Sequence, residues 1–275
     1  MRVDVFDDGP APPDALPFLG LAFHPLTARE ILDRVLARSV TRGFAYLATP
    51  NVDHMVRLAR ADARVRAAYE DAWLVVNDSR ILARLARMAG LDLPAAPGSD
   101  LVAALLADPR LPRDAEILVV GGDRALAEAL RVRFGLTRLR QTLPPFGLRD
   151  DPDRLAAAVE EAEAAFPESV PGRPRLVLLA IGSPQQELFA QALLRRGRCW
   201  GVALCIGAGL EFLVGARRRA PVPVQRLGLE WAYRLLSEPR RMWRRYLVDG
   251  PRILPLFLAD LRRRRGTTPR VSRHA

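Results

Sequence analysis

The sequence predicts a doubly wound α/β fold with a mainly parallel, Rossmann-like sheet over residues 1–215, followed by an arginine-rich helical appendage over residues 216–275. Three observations predict it. Seven short β-rich runs alternate with helical patterns before Gly215, and strands separated by helices pair in parallel. Two of those runs, LVLLAI (176–181) and VALCI (202–206), lack polar alternation, as strands covered on both faces do. The third observation is charge. The formal net charge is +11, and all 42 basic residues are arginine. Up to Gly215, 26 arginines face 27 acidic residues; from Ala216 onward 16 face only 4, which sets the boundary.

The elements follow in order. FLGLAF (18–23) reads as the first strand, and LTAREILDRVLARSV (26–40) as a helix in which Thr27 and Glu30 have capping-box spacing. FAYLA (44–48) leads into one long helical pattern, VDHMVRLARADARVRAAYEDA (52–72). WLVV (73–76) precedes a helix around ILARLARMAG (81–90), and EILVV (116–120) precedes DRALAEALRVRF (123–134). RLRQT (138–142) is a further strand, while RDDPDR (149–154) and ESVPGRP (168–174) read as surface turns. RLVLLAI (175–181) runs into a helix whose first turn suits Pro184, and GVALCI (201–206) closes the series. Beyond the boundary, Arg240, Arg241, Arg244 and Arg245 fall on one half of a helix at about 100° per residue, and Met242, Trp243, Tyr246 and Leu247 on the other. ILPLFLADLRRRR (253–265) joins an apolar segment to four consecutive arginines. A basic amphipathic segment with aromatics either lies in a membrane interface or packs its apolar half on the core. Both readings stay open on the sequence.

Several function classes drop out. No run of 18 apolar residues exists, so no transmembrane helix is expected, and the acidic, Pro-rich N-terminus has no apolar region of a secretory signal. The only cysteines, Cys199 and Cys205, lie in or beside one strand, which fits a reducing compartment better than a disulfide framework. With three histidines and no second cysteine pair, a structural zinc site is not expected.

In doubly wound sheets, ligands sit beyond the carboxyl ends of the strands. Five loops there carry polar or Gly-rich text: ATPNVDH, VVNDSR, VVGGD, AIGSPQQE and CIGAGLEF. None matches GxGxxG or GxxxxGK[ST], which weakens the reading as a nucleotide-cofactor oxidoreductase. Asp78 at a strand's end is placed to act as a general base, but Asp78 or Ser79 can equally cap the next helix. Thr49 and Asn51 end the preceding strand, where they read alone as turn residues. Gln186 and Glu187 project from a helix's first turn, where backbone N–H groups can face an anion or Glu187 can simply complement the dipole. Gly207 and Gly209 permit close backbone approach to a ligand, and a tight turn explains them equally well. His54 beside Asp53 carries only a weak metal signal.

Their combination is more specific. TPN (49–51), VVND (75–78), GSDL (98–101), GSPQQE (182–187), IGAGLEF (206–212), RRRAPVP (217–223) and GLEWAYRLLSEPRRMWRRY (228–246) resemble the WecG/TagA/CpsF family of bacterial glycosyltransferases in content and order, over roughly Phe18 to Ile253. The resemblance implies an inverting, metal-independent enzyme of the hexosyltransferase or N-acetylhexosaminyltransferase type, with no cofactor. It would move a sugar from a UDP-sugar to a polyprenyl-diphosphate-linked sugar acceptor at the inner face of the cell membrane, in exopolysaccharide or other cell-surface polymer biosynthesis. It implies Asp78 as the catalytic base, Thr49 and Asn51 lining the same pocket, Gly98, Asp100 and Leu101 as the family's G-x-D-L, and Gln186 and Glu187 near the nucleotide. Glu211 stands where the family has an aspartate at the nucleotide. Two departures matter: Asp-Gly becomes Asp78-Ser79, and the family's arginine falls at Ala95. Arg80, two residues after the base, is the expected substitute.

A departing diphosphate has to meet positive groups, and arginine forks can supply them bidentately. Candidates are Arg219, Arg226, Arg234, Arg240, Arg241, Arg244 and Arg245, with an anionic membrane surface as a second partner. The sole DxD text, Asp151 to Asp153, reads as a solvated turn rather than a metal site. Two other readings compete: an arginine-rich nucleic-acid-binding protein, although no specific nucleic acid is expected, and an impaired family member acting as a scaffold, which Ser79 and Ala95 keep in play. The transferred sugar, the acceptor saccharide and any homo-oligomer are left open by the sequence.

Overall fold

Six of the seven runs form one sheet. In a computed structural model of the chain, which describes residues 13–40, 43–166, 172–207, 209–215, 220–221, 223–224 and 228–267, the order is β4-β3-β8-β7-β5-β6 and every pairing is parallel. The strands are β3 (Phe44–Ala48), β4 (Leu74–Val75), β5 (Glu116–Gly121), β6 (Leu139–Thr142), β7 (Arg175–Ala180) and β8 (Gly201–Cys205). Because all run the same way, all six carboxyl ends open on one side of the sheet.

The lack of polar alternation has its expected cause. Side chains alternate between faces along a strand, and here both faces are apolar cores. Ile117 and Val119 of β5, Leu176 and Leu178 of β7, and Val202 and Leu204 of β8 join one buried cluster. Their neighbours Leu118, Val120, Val177, Leu179, Ala203 and Cys205 join another on the opposite face. Helices α1 (Ala28–Arg38), α5 (Gly98–Ala107) and α6 (Arg124–Phe134) cover the first face. Helices α7 (Pro152–Ala165) and α8 (Gln185–Arg196) cover the second. Each fully covered Leu or Val contributes about 1.5–3 kcal/mol.

Local chemistry sets the boundaries, and it corrects three expectations. Thr27 and Glu30 do form a reciprocal capping box at α1. FLGLAF, however, is two strands, β1 (Leu16–Phe18) and β2 (Leu21–Phe23), an antiparallel hairpin outside the main sheet. Leu19 and Gly20 both have positive φ, 53° and 81°, the sign pattern of a two-residue type I′ turn. The long pattern 52–72 is broken into α2 (Val52–Leu58) and α3 (Ala63–Glu70), because the Asp62 side chain caps a fresh start by accepting from the Val65 amide. RDDPDR is a helix start: Asp151 accepts from the Arg154 amide, and Pro152 opens α7.

At the opposite end of the sheet, Arg175 donates twice to Glu116 Oε2, at 3.1 and 2.8 Å, with both side chains buried. Its guanidinium lies between the rings of Phe166 and Trp200, 4.4 and 4.1 Å from their centroids. Removing one partner of a buried pair leaves the other charge uncompensated. Arg175→Ala is therefore expected to lower unfolding free energy by about 3–5 kcal/mol. The double variant Arg175→Met/Glu116→Leu should recover most of that loss in a denaturant titration.

Candidate active site

The loops after β3, β4 and β8 meet around Asp78. Its amide donates to Pro50 O at 3.1 Å, which places the residue directly beyond β4. Asn77, 1% exposed, holds the neighbouring chain: its Nδ2 donates to Pro94 O at 3.3 Å, and its carbonyl accepts from Ala96 N at 2.7 Å. That anchoring delivers the next amide, Gly98 N, to Asp78 Oδ1 at 2.7 Å. The fit around Gly98 is close: a Cβ there would lie 3.3 Å from Thr49 Oγ1 and 3.4 Å from Ile206 Cγ2. Thr49 is itself fixed by donating to Cys205 O at 2.7 Å. Asn51 caps α2, its Oδ1 accepting from Asp53 N and His54 N, while its Nδ2 donates to Asp78 Oδ2 at 3.3 Å.

Ser79 takes the cap of α4 (Arg80–Met88), accepting from Leu82 N at 3.3 Å. Asp78 is thereby released from capping. Among the described residues, each of its oxygens accepts one hydrogen bond, which leaves a further lone pair on each. It borders a cavity of about 260 Å³ with Arg80, Trp231, Arg245 and Tyr246, and a second of about 140 Å³ with Arg80, Ser99, Gly209 and Phe212. Burial raises its pKa to about 6, against the Gly98 and Asn51 hydrogen bonds that favour the charged form; Glu230 adds to the rise and Arg245 opposes it. A carboxylate tuned to that range can accept a proton near neutrality.

The C-terminal stretch forms the opposite wall of the larger cavity. It comprises α10 (Glu230–Ser237), α11 (Pro239–Trp243), a π-helical turn Arg244–Asp249, a 3₁₀ turn Gly250–Arg252 and α12 (Ile253–Thr267). Trp231 lies against Tyr246, with ring centroids 6.1 Å apart. Arg245 pairs with Asp53 Oδ2 at 3.4 Å and borders the cavity with Asp78. Arg234 lies over the Phe212 ring at 5.4 Å. Arg241 is exposed and paired with Glu238 at 3.0 Å, and Arg244 is exposed; neither lines a cavity that holds Asp78. The wider π turn displaces the stretch from the 100° spacing assumed on the sequence. Met242 is buried, while Trp243 and Leu247 are exposed. Arg219 and Arg226 lie outside the described residues.

Three further expectations change. Gln186 and Glu187 sit on the first turn of α8 as expected, but they turn inward, 1% and 0% exposed. Gln186 Oε1 accepts from Gly207 N at 2.8 Å, and its Nε2 donates to Glu187 Oε1 at 2.8 Å. Burial raises the Glu187 carboxyl, opposed by Gln186 and by the hydroxyls of Ser183 and Tyr69. The pair thus braces the loop after β8, and the Gly207 amide, at φ +52°, is engaged inside the protein rather than open to a ligand. Asp100, in the first turn of α5, lines neither cavity that holds Asp78. Glu211 borders a separate and larger cavity of about 750 Å³, with Gly121, Gly122, Asp123 and Phe146, beyond β5, β6 and β7. The short helix α9 (Gly209–Leu213) divides the two regions: Glu211 faces the large cavity, and Gly209 and Phe212 face the small one beside Asp78. The model of the glycosyl transferase WecG/TagA/CpsF family matches residues 16–267.

The chain belongs to that family. Its reaction class is therefore glycosyl transfer, and a WecG/TagA/CpsF enzyme has to bring a sugar donor and an acceptor together. Among the residues missed on the sequence, Asn77 and Glu230 stand out. The GLEW string held Glu230 in view without suggesting an electrostatic role, and nothing marked Asn77 as an anchor.

The carboxyl of Asp78 is expected to titrate near pH 6 when followed by ¹³C NMR, as its raised value requires. Asn51→Ala removes a hydrogen bond to the charged form, so the midpoint should move to higher pH.

Proposed function

We propose that this WecG/TagA/CpsF member is an inverting glycosyltransferase that moves a sugar from a UDP-sugar to a lipid-diphosphate-linked saccharide, with Asp78 as general base. The observation that carries the reading is Asp78 itself: a carboxylate with free lone pairs and a raised pKa, standing between two cavities. In this reading the nucleotide occupies the 750 Å³ cavity bordered by Glu211, and the donor sugar reaches past α9 toward Asp78. The acceptor sugar enters the cavity bordered by Trp231 and Tyr246. Its hydroxyl oxygen forms the bond to the anomeric carbon as the bond to UDP breaks, and the proton passes to an Asp78 oxygen. One displacement inverts the anomeric centre.

Arg80 borders both cavities with Asp78, which supports its proposed part as the replacement for the family arginine absent at Ala95. Arg245 serves the acceptor's phosphates. The reading calls on no metal ion for the departing diphosphate, and both oxygens of Asp151 in the DxD tract are engaged by Arg154. Residues 1–215 carry the nucleotide-sugar machinery and residues 216–275 form the membrane-side wall. Exposed Trp243, Leu247, Val248, Leu254 and Leu258, beside exposed Arg240, Arg241 and Arg244, support a peripheral position on an anionic inner membrane face. Among the described residues no helix is long and apolar enough to cross a membrane.

With UDP-sugars and a lipid-diphosphate-sugar acceptor, Asp78→Asn should reduce UDP release by about 10²–10⁴-fold or more while keeping the wild-type circular dichroism spectrum. Activity of wild type should fall about tenfold for each pH unit below pH 6 and level off above it. Undiminished turnover in Asp78→Asn rejects the reading, and a wild type inactive on every donor would favour the scaffold alternative.

Trp243→Ser/Leu247→Ser should lose cosedimentation with vesicles containing phosphatidylglycerol while leaving the Asp78 midpoint unchanged. Retained vesicle binding removes the membrane component.

A further inference from the structure

We propose that a cavity of about 280 Å³ beneath α2 and α3 binds a phosphate group esterified to a long apolar chain. It lies between those helices, the Ser183–Pro184 turn after β7 and the turn that carries Asp249 and Arg252. It is neither of the cavities that hold Asp78; where the acceptor supplies the phosphate, the inference rests on the proposed function.

Charge identifies the class of ligand. Four guanidinium groups, those of Arg57, Arg60, Arg149 and Arg252, line the cavity against two carboxylates, Asp53 and Asp249. Asp249 is taken by Arg252. Asp53 is shared between Arg57 at 2.9 Å and Arg245 at 3.4 Å, so one carboxylate serves two cations. Among the described residues, the ion pair of Arg149 is with the exposed Asp150, at 3.7 Å. His54 borders the same space, and its buried Nδ1 has no hydrogen-bond partner among the described residues. Burial and the nearby Arg57 and Arg245 charges hold its ring neutral. Arg57 is engaged by Asp53 and by Ser183 O, so it is the exposed Arg60 and Arg149 guanidinium groups, beside a neutral histidine, that suit a multivalent anion. Phosphate oxygens match guanidinium forks bidentately and best fill that role.

Exposed apolar side chains identify what the phosphate is attached to. Leu247 and Val248 precede Asp249 in the chain, and Leu254 follows Arg252; all three are exposed. Exposed apolar residues thus adjoin in sequence the Asp249 and Arg252 that line the cationic cavity, as a site for a headgroup with an acyl or polyprenyl chain would need. A phospholipid or the acceptor's own diphosphate can supply that chemistry. Asp53 lines both this cavity and the larger one at Asp78, so a bound phosphate sits one carboxylate away from the proposed acceptor site.

The test uses the full chain and the charge reversal Arg60→Glu/Arg149→Glu, two exposed positions at which an unchanged melting temperature verifies the fold. Inorganic pyrophosphate is titrated by calorimetry, with Arg80→Ala as the control for the Asp78 cavities. Vesicles of phosphatidylcholine, with and without phosphatidic acid, form the second arm. Pyrophosphate affinity should fall about tenfold or more in the double variant and persist in Arg80→Ala. Parallel loss of phosphatidic acid vesicles assigns the site to a lipid headgroup, whereas retained vesicle binding assigns it to the acceptor's diphosphate. Unchanged pyrophosphate affinity in the double variant overturns the proposal. Neither arm measures transfer, so an inactive wild type would defeat the proposed function and leave this result readable.

Discussion

Everything at the centre of this molecule depends on how one carboxylate is half satisfied. Burying a charge is costly unless hydrogen bonds compensate it, and complete compensation would leave nothing for chemistry. Asp78 receives a backbone N–H on one oxygen and a longer side-chain amide bond on the other. The compensation is partial, so burial still prevails and the pKa rises. Each donor is fixed from a distance. The Gly98 amide is delivered by Asn77 through the 94–96 segment, and Thr49, tied to β8, packs below it. Asn51 is held by its cap on α2. Three strands of the sheet therefore converge on one acid, and a parallel sheet is what lets their ends meet on one side.

The fold was largely legible because its signals are local or periodic. Unbroken apolar runs announced doubly covered strands, the Thr27–Glu30 spacing announced α1, and the resemblance across TPN, VVND and GSDL brought Thr49, Asn51, Asp78 and Gly98 together. What stayed hidden depends on geometry that the text does not encode. FLGLAF reads as one strand until Leu19 takes a positive φ. Gln186 and Glu187 read as outward because a first turn exposes donors, yet α8 lies against β3 and α3, and the sheet surface claims that side of the helix. Polar residues there serve the interior, completing hydrogen bonds for a glycine loop that lacks side chains of its own.

The C-terminal stretch illustrates a different limit. A wheel drawn at 100° assumes an unbroken α-helix, and Pro239 and the π turn after Trp243 both break that assumption. Three of the four arginines expected on one face, Arg240, Arg241 and Arg244, are exposed and border no cavity with Asp78, while Arg245 borders one. Charge counting marked the stretch. It could not say which guanidinium borders the acid's cavity, because that is set by how the broken helix packs.

The contact between Phe18 and Phe257, with rings 6.4 Å apart at 76°, has a temporal consequence. It joins the hairpin near the start of the chain to a helix near its end, and the Arg264 guanidinium donates to Pro17 O beside it. During synthesis the sheet strands have all emerged before Trp231, Arg245 or Phe257 exists. The pocket around the acid therefore gains its last wall only after α12 has been made, and a nascent chain holds the cleft unclosed until that helix docks.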